Sequence, residues 1–130
     1  MSHRRDVRAR LAAAGVPSPD ADASALIAFV AGQRGFDPAL TAEQAARLEE
    51  LVVQRCQRVP LQHLTGVAGF RYLDIAVGPG VFVPRPETEV LVDLALTEPF
   101  ETAIDLCTGS GAIALALASE TGARVVGVEK

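Results

Sequence analysis

The sequence contains few of the residues that build metal sites and disulfide frameworks. Of its 130 residues only two are cysteine, Cys56 and Cys107, and they lie 51 positions apart. This spacing provides neither a disulfide framework nor a Cys-x-x-Cys metal site, and it suits a reducing compartment, so we expect a cytoplasmic protein. The two histidines, His3 and His63, have no ligating partner at a useful spacing, and we therefore predict no metal site.

Long hydrophobic runs are also missing. The apolar runs are short, such as residues 112–118, whereas a membrane-spanning helix needs about 20 apolar residues. The first residues, Met1-Ser-His-Arg-Arg-Asp6, include no apolar stretch of the kind found in secretory signals. A composition of 49% hydrophobic and 22% charged residues is that of a folded chain. We expect no membrane association.

Positive charge is scarce in the second half of the chain. Residues 67–130 contain nine acidic and four basic residues, whereas residues 1–66 contain seven acidic residues and eight arginines. Because nucleic-acid binding requires a basic surface, the acidic half argues against direct binding of nucleic acid. The arginines at positions 4, 5, 8 and 10 are interpreted as a solvated helix face, and contact with an acidic partner or with RNA is the alternative.

The first 60 residues have the pattern of a small helical bundle. The spacing of Val7 and Leu11 predicts one amphipathic helix. Ser18 followed by Pro19 is a typical start for a second. Thr41-Ala-Glu-Gln44 forms a capping box in front of a third. The apolar positions of the second and third helices are Leu26, Ile27, Val30, Ala45, Leu48, Val52 and Cys56.

After Val59-Pro60 the pattern changes to glycine, aromatic and β-branched residues. The segments 67–70 and 73–77 are predicted to pair as a β-hairpin. A helix is then expected to begin at Pro86, because proline suits the first helical position and Glu87 and Glu89 suit the positive end of the helix dipole.

The last 30 residues have the pattern of one β-α-β unit. Segments 103–106 and 124–128 are predicted strands, and 112–118 is a predicted helix of small and aliphatic residues. Such a connection makes the strands parallel and the crossover right-handed. We therefore predict an α+β fold with a helical bundle over 1–60, a hairpin linker over 61–80 and the start of a Rossmann-like sheet over 81–130.

A glycine-rich turn joins the first of these strands to the helix. Gly109-Ser-Gly111 allows a tight turn that presents bare backbone N–H groups to a ligand at the helix N-terminus. Glu129 follows Gly109 by 20 positions, at the end of the next strand, where a carboxylate accepts hydrogen bonds from both hydroxyls of a ribose. The pattern indicates a ligand that contains adenosine. A turn that merely closes the unit is the alternative.

Two adenosine-containing ligands fit this pattern. Gly109-x-Gly111-x-x-Ala114 satisfies the dinucleotide fingerprint, so an NAD-dependent oxidoreductase is one interpretation. Asp105 at the end of the first strand would repel a pyrophosphate, but it would attract the ammonium or sulfonium group of S-adenosyl-L-methionine. We favour S-adenosylmethionine and keep NAD as the alternative.

Three segments, in this order, resemble the HemK/PrmC family of peptide chain release factor glutamine methyltransferases. They are Gln62-His-Leu-Thr-Gly66, Phe82-Val-Pro-Arg-Pro-Glu-Thr-Glu89 and Asp105-Leu-Cys-Thr-Gly-Ser-Gly111. The resemblance implies a class I methyltransferase sheet and transfer of a methyl group from S-adenosylmethionine to the side-chain amide nitrogen of the glutamine in a Gly-Gly-Gln loop. It also implies that the N-terminal helices dock the release factor.

The same resemblance assigns ten residues to the cofactor. They are Cys107, Thr108, Gly109, Ser110 and Gly111 around its methionyl part, Glu129 at its ribose, and Phe82, Pro84, Arg85 and Thr88 in a segment lying against it. Cys107 departs from the family, which usually has glycine there. We interpret it as a tolerated small residue, with a reactive thiol as the alternative.

A second departure concerns catalysis. The family orients the substrate amide with an Asn-Pro-Pro-Tyr motif, and this chain contains no asparagine. An amide nitrogen is a poor nucleophile that depends on positioning. We therefore assign no catalytic residue, expect a truncated form of a longer enzyme that is inactive by itself, and keep a release-factor-binding module as the alternative. Without further strands, Val125, Val126 and Val128 are expected to leave an apolar edge unpaired.

Overall fold

The computed structural model describes residues 2–130 and divides the chain into two units at the Thr65–Gly66 bond. The first unit contains helices α1 (His3–Ala13), α2 (Pro19–Ala31), α3 (Ala42–Cys56) and α4 (Leu61–Thr65). The division lies five residues after the end of the segment predicted as the helical bundle, because α4 belongs to the first unit and not to the hairpin linker. A helix of five residues is too short to produce a recognisable hydrophobic period.

The helix starts follow the predicted capping pattern, with one difference. In α3 both bonds of the capping box are present, since Thr41 Oγ1 accepts from the N–H of Gln44 and the Gln44 side chain accepts from the N–H of Thr41. Ser18 occupies the N-cap position of α2 but makes no side-chain capping bond. Its carbonyl accepts from the N–H of Asp22 at 3.0 Å. The start of α2 is therefore stabilised by this backbone bond and by Pro19, and not by a side-chain cap.

The core of the first unit comes from the apolar faces of α1, α2 and α3. Its buried members are Val7, Leu11, Val16, Ala23, Leu26, Ile27, Leu48, Leu51 and Val52. Leu61 and Leu64 of α4 pack against this core, as do Val30 and Cys56 at its margin. Within residues 2–130 no helix is both long enough and apolar enough to cross a membrane.

One ion pair in the first unit is largely buried. Arg55 Nε donates to Asp22 Oδ2 at 2.7 Å, and the two side chains are 13% and 11% exposed. Arg55 Nη1 also donates to the carbonyl of Val59 at 3.1 Å. Asp22 thus joins α2 to α3. Its position in the first turn of α2 also suits the positive end of the helix dipole.

Replacing Asp22 with asparagine is expected to lower the free energy of unfolding by about 1–2 kcal/mol, because Arg55 would keep its burial but lose a charged partner. The matched control is Asp20→Asn on the same helix. Asp20 also pairs with an arginine, Arg4, but its side chain is 59% exposed, so the change should stay below about 1 kcal/mol. Urea denaturation followed by circular dichroism measures both, and equal losses would contradict the prediction.

The second unit contains two small sheets and two helices. Strands β1 (Val67–Phe70) and β2 (Leu73–Ala76) pair antiparallel, and β3 (Thr102–Leu106) and β4 (Arg124–Val128) pair parallel. The helices are α5 (Glu89–Ala95) and α6 (Ala112–Glu120). The α+β class is confirmed, as are the hairpin and the parallel β-α-β unit, with strand and helix ends shifted by one or two residues.

The helix expected to begin at Pro86 begins later. Residues Pro86–Thr88 form a 3₁₀ turn in which the N–H of Thr88 donates to the carbonyl of Arg85 at 3.1 Å, and the α-helix starts at Glu89. A proline suits this first position because its N–H would have no partner there, and a single 3₁₀ turn is common at the start of an α-helix.

One face of the β3–β4 sheet is covered and the other is exposed. Ala103 and Val125 pack towards a core built around Phe70, Ile75 and Val92. On the opposite face Ile104 pairs with Val126 and Leu106 with Val128, and all four side chains are exposed. The side chain of Val125 differs from those of Val126 and Val128 in lying on the covered face, because side chains alternate along a strand. Within residues 2–130 this sheet has two strands, so each has an unpaired edge.

Candidate functional site

A cavity lies at the carboxyl ends of β3 and β4, in front of the N-terminus of α6. Its volume is about 310 Å³. Nine of the ten residues assigned to a cofactor from the sequence line it: Phe82, Pro84, Arg85, Thr88, Cys107, Thr108, Gly109, Ser110 and Glu129. The tenth, Gly111, is the N-cap residue of α6 and is not among the lining residues. Ala112 and Ile113, which the sequence did not single out, complete the lining.

One wall of the cavity is the segment that precedes α5. Phe82 is 69% exposed, and the guanidinium of Arg85 lies 5.6 Å from the centre of its ring. Arg85 and Glu129 therefore place charges of opposite sign on the lining. A cavity with an aromatic ring and both charges suits a small molecule that is itself part apolar and part zwitterionic.

The opposite wall is the turn between β3 and α6. Cys107, Gly109 and Gly111 all have positive φ, at 58°, 58° and 83°. The N–H of Thr108 donates to the carbonyl of Val128 at 3.0 Å, which extends the parallel pairing beyond the end of β3. The N–H of Gly111 donates to the carbonyl of Thr108 at 2.9 Å, which closes the turn. The two glycines are needed here because an L side chain strains a backbone with positive φ.

Asp105 braces this turn from within. One of its carboxylate oxygens, Oδ2, accepts from the hydroxyl of Thr108 at 2.7 Å and from the N–H of Ala114 at 3.2 Å. Asp105 is half-buried and does not line the cavity. The structure gives Asp105 a role that the sequence did not indicate, since its carboxylate takes up a free N–H of the first turn of α6; attraction of a cationic ligand stays a prediction.

Gly127 is a site residue that sequence reasoning missed. It lies in β4 opposite Asp105, and a Cβ at this position would stand 2.9 Å from Oγ1 of Thr108. The Thr108 side chain thus lies over the bare backbone of Gly127 while its hydroxyl is bound to Asp105. A glycine inside a strand often marks such a close approach, and this signal was available in the sequence.

Glu129 does not face a row of free N–H groups. Its Oε2 accepts from the N–H of Gly109 at 2.5 Å, and the N–H of Gly111 is taken by Thr108. The expectation of bare N–H groups along 109–111 is therefore wrong for these two residues, because backbone donors rarely stay unpaired and here Glu129 takes one donor and the turn takes the other. The carboxylate of Glu129 is held at the cavity by the turn on which a ligand would lie.

Comparison with known proteins covers both units. Residues 3–66 match the family model described as the PrmC N-terminal domain. The release factor glutamine methyltransferase of Streptomyces coelicolor is 54% identical over 121 residues, which are 85% of this chain and 42% of that protein. The enzymes of the same name from Mycolicibacterium smegmatis and Escherichia coli are 49% and 45% identical, over 93% and 79% of this chain. The chain belongs to the PrmC/HemK family.

The match extends past the N-terminal domain into the unit that carries the cavity. The chain spans less than half the length of these PrmC/HemK relatives, between 40% and 46% for the three named here. The cavity, the turn and Glu129 all belong to the second unit, and the M. smegmatis relative matches 93% of the whole chain.

The backbone of Cys107 is left-handed, with φ at 58°, and this conformation suits the glycine that the family resemblance implies at this position. For a residue with a side chain, this left-handed conformation costs about 1–2 kcal/mol of steric strain. Glycine has no such strain, but ordering its more flexible backbone on folding costs about 0.5–1 kcal/mol. Cys107→Gly is therefore expected to raise the free energy of unfolding by about 0.5–1 kcal/mol. Urea denaturation measures the gain. The control is Cys107→Ala, which removes the thiol but keeps Cβ; an equal gain there would show that relief of backbone strain is not the cause.

Proposed function

We propose that this chain supplies the S-adenosylmethionine-binding part of a protein-glutamine N-methyltransferase that acts on a peptide chain release factor. The observation that carries the proposal is that nine of the ten residues assigned from the family resemblance line one cavity, in a chain whose relatives are release factor glutamine methyltransferases. Because these relatives are named methyltransferases, a methyl donor is favoured over NAD as the ligand of the cavity. A cytoplasmic location and the role of the first unit as the docking domain are part of the same proposal.

The cavity is suited to the cofactor in size and in chemistry. Its volume of about 310 Å³ lies at the lower end of the range of about 300–1,000 Å³ found for small-molecule sites. No heavy atom stands within 4 Å of the place where a Cβ would lie on Gly109, so that side of the turn is open. Arg85 and Glu129 match a ligand that carries both a carboxylate and cationic groups.

Each wall would contribute a different interaction. Glu129 would accept hydrogen bonds from the ribose hydroxyls in exchange for, or in addition to, its bond from Gly109. Phe82, Pro84 and Ile113 would cover the apolar parts of the ligand and exclude water. The bound cofactor supplies an electrophilic methyl group on a sulfonium. These 130 residues include no asparagine to orient a substrate amide, so we assign them cofactor binding and no catalytic group.

Calorimetric titration with S-adenosylhomocysteine tests the cofactor assignment. The wild-type chain should bind it, and Glu129→Gln should weaken binding by about 10- to 100-fold, the usual effect of losing hydrogen bonds to a charged group. Glu98→Gln is the matched control, because Glu98 is an exposed glutamate of the same unit that does not line the cavity. Binding of NADH in preference to S-adenosylhomocysteine, or equal effects of the two variants, would contradict the assignment.

Titration with a release factor tests the substrate. Binding of both the release factor and S-adenosylhomocysteine supports the proposal, whereas binding of the release factor alone supports the binding-module alternative. Transfer is tested with a chimaera in which residues 1–130 replace the matching part of the S. coelicolor relative. With labelled S-adenosylmethionine it should label the glutamine of the Gly-Gly-Gln loop, and its Glu129→Gln variant should label it far more slowly. Absence of label would contradict the proposed substrate.

A further inference from the structure

The side chain of Arg71 forms hydrogen bonds to two helices, α5 and α6, although the pairing of β1 with β2 does not depend on these bonds. It lies in the two-residue turn between β1 and β2, with φ at 52°. Its side chain is 11% exposed although the residue stands at the tip of a hairpin, where a solvated side chain is the usual outcome. Neither the motifs nor the cavity account for a nearly buried arginine in this place.

Three carboxylates from two helices surround Arg71. Its Nε and Nη2 donate to the two oxygens of Glu120 at 2.6 and 2.8 Å, which is the bidentate geometry that guanidinium groups favour. Nη1 donates to Asp93 at 2.6 Å. The backbone N–H of Arg71 donates to the carboxylate of Glu89. The bonds to Glu120 and Asp93 raise the pKa of Arg71, and the bond from Arg71 lowers the pKa of Glu120.

The helices held by these carboxylates carry the two walls of the cavity. Glu89 is the first residue of α5 and follows directly on Thr88, the last lining residue of the first wall. Glu120 is the last residue of α6, whose first residues, Ala112 and Ile113, belong to the second wall. A helix of nine residues is a stiff rod about 13 Å long, so its orientation at the cavity depends on where its far end is fixed.

We infer that Arg71 is a positioning residue that holds α5 and α6 at a fixed spacing and thereby sets the separation of the two walls of the cavity. We call the group formed by Arg71, Glu89, Asp93 and Glu120 the Arg71 clamp. The geometry of the clamp is independent of the ligand, whereas its effect on the cofactor rests on the proposed function. Arg71 touches no lining group itself and acts through the two helices.

Hydrogen exchange in the ligand-free chain tests the clamp, under conditions where circular dichroism shows the variants to be folded. Arg71→Met, which keeps length but removes the donors, should raise exchange of the amides of α5 and α6 by about tenfold through local opening. Amides of the β3–β4 pairing should be unchanged. Arg124→Met is the control, since Arg124 lies at the other end of β4, away from the cavity. Unchanged exchange in α5 and α6, or a uniform rise throughout the second unit, would overturn the inference.

A charge exchange separates the two arms of the clamp. Arg71→Glu combined with Glu120→Arg restores one ion pair to α6 but sets a carboxylate against Glu89 and Asp93. Protection should return in α6 and stay lost in α5, a pattern that general destabilisation does not produce. If Arg71→Met does not fold, Arg71→Lys serves in its place, because lysine keeps the charge but cannot form the paired bonds to Glu120 together with the bond to Asp93. Equal protection of the two helices in the exchanged variant would contradict the clamp.

The affinity for S-adenosylhomocysteine links the clamp to the cavity. Arg71→Met should weaken binding by about tenfold, because misplaced walls lose several contacts together, and Arg124→Met should leave it unchanged. Unchanged affinity in a variant whose helices have loosened would overturn the effect on the walls. If the wild-type chain does not bind the nucleoside, the proposed function fails, while the exchange measurements still decide whether Arg71 holds the two helices.

Discussion

Phe70→Ala is expected to lower the free energy of unfolding of the second unit by about 3–5 kcal/mol. Phe70 is 1% exposed and lies at the centre of the core that joins the hairpin to Val92 and α6. A unit of about 65 residues has a total stability of only about 3–10 kcal/mol. The variant should therefore lose most of its structure in the second unit, and with it the cavity.

The same hairpin contains the control for this prediction. Tyr72 is an aromatic residue two positions further on, and its side chain is 86% exposed. Tyr72→Ala should change the free energy of unfolding by less than about 1 kcal/mol, because little apolar surface returns to water. Urea denaturation followed by far-ultraviolet circular dichroism compares the two variants. Similar losses would mean that Phe70 does not form the core of this unit.

Gly127→Ala is expected to damage the cavity more than any substitution that removes a single contact. The new Cβ would stand 2.9 Å from Oγ1 and 3.1 Å from Cγ2 of Thr108, so Thr108 must move away from Asp105. The bond that ties the turn to β3 is then lost, and the turn no longer holds Cys107 and Gly109 in place. We expect a loss of about 1–3 kcal/mol in the free energy of unfolding and a loss of S-adenosylhomocysteine affinity of more than about tenfold.

Gly122→Ala is the matched control for Gly127→Ala. Gly122 lies between α6 and β4, has no positive φ, and has no heavy atom within 4 Å of the place of a Cβ. Alanine there should change stability by less than about 1 kcal/mol, with a small gain expected from a stiffer unfolded chain. Calorimetry with the nucleoside and urea denaturation are run on both variants. Wild-type affinity in Gly127→Ala would contradict the role given to Thr108.

Local signals were reliable where one short segment decides its own structure. The capping box at Thr41, the hairpin and the parallel strands on either side of the glycine turn all depend on residues close in the sequence, and the structure confirms them. Helix α4 and the start of α5 were not predicted correctly from the sequence, because a five-residue helix and a 3₁₀ turn lack a hydrophobic period. That Gly109 and Glu129 line one cavity followed from the order of strand, turn and helix, because the carboxyl ends of two parallel strands lie at the same edge of the sheet.

Hydrogen-bond partners were beyond the reach of sequence patterns. Asp105 was interpreted as a charge directed at a ligand, yet it binds Thr108 and Ala114. Arg71 carried no motif, yet it bridges α5 and α6. In both cases the partner of a charged side chain depends on which elements meet in space, and pattern and spacing along the chain carry no such information.

The order of amino acids alone determined the helical first unit, the hairpin and the parallel β-α-β unit, because period, capping and glycine placement act over a few neighbouring residues. The family, and with it most of the candidate residues at the cavity, came from the resemblance of three segments and not from such local patterns. Tertiary structure alone decided that Val125 is covered while Val126 is exposed, that Glu129 binds the turn, and that Thr108 lies on Gly127. These outcomes depend on close packing between segments far apart in the chain, where a single Cβ or one unsatisfied N–H determines which arrangement is stable.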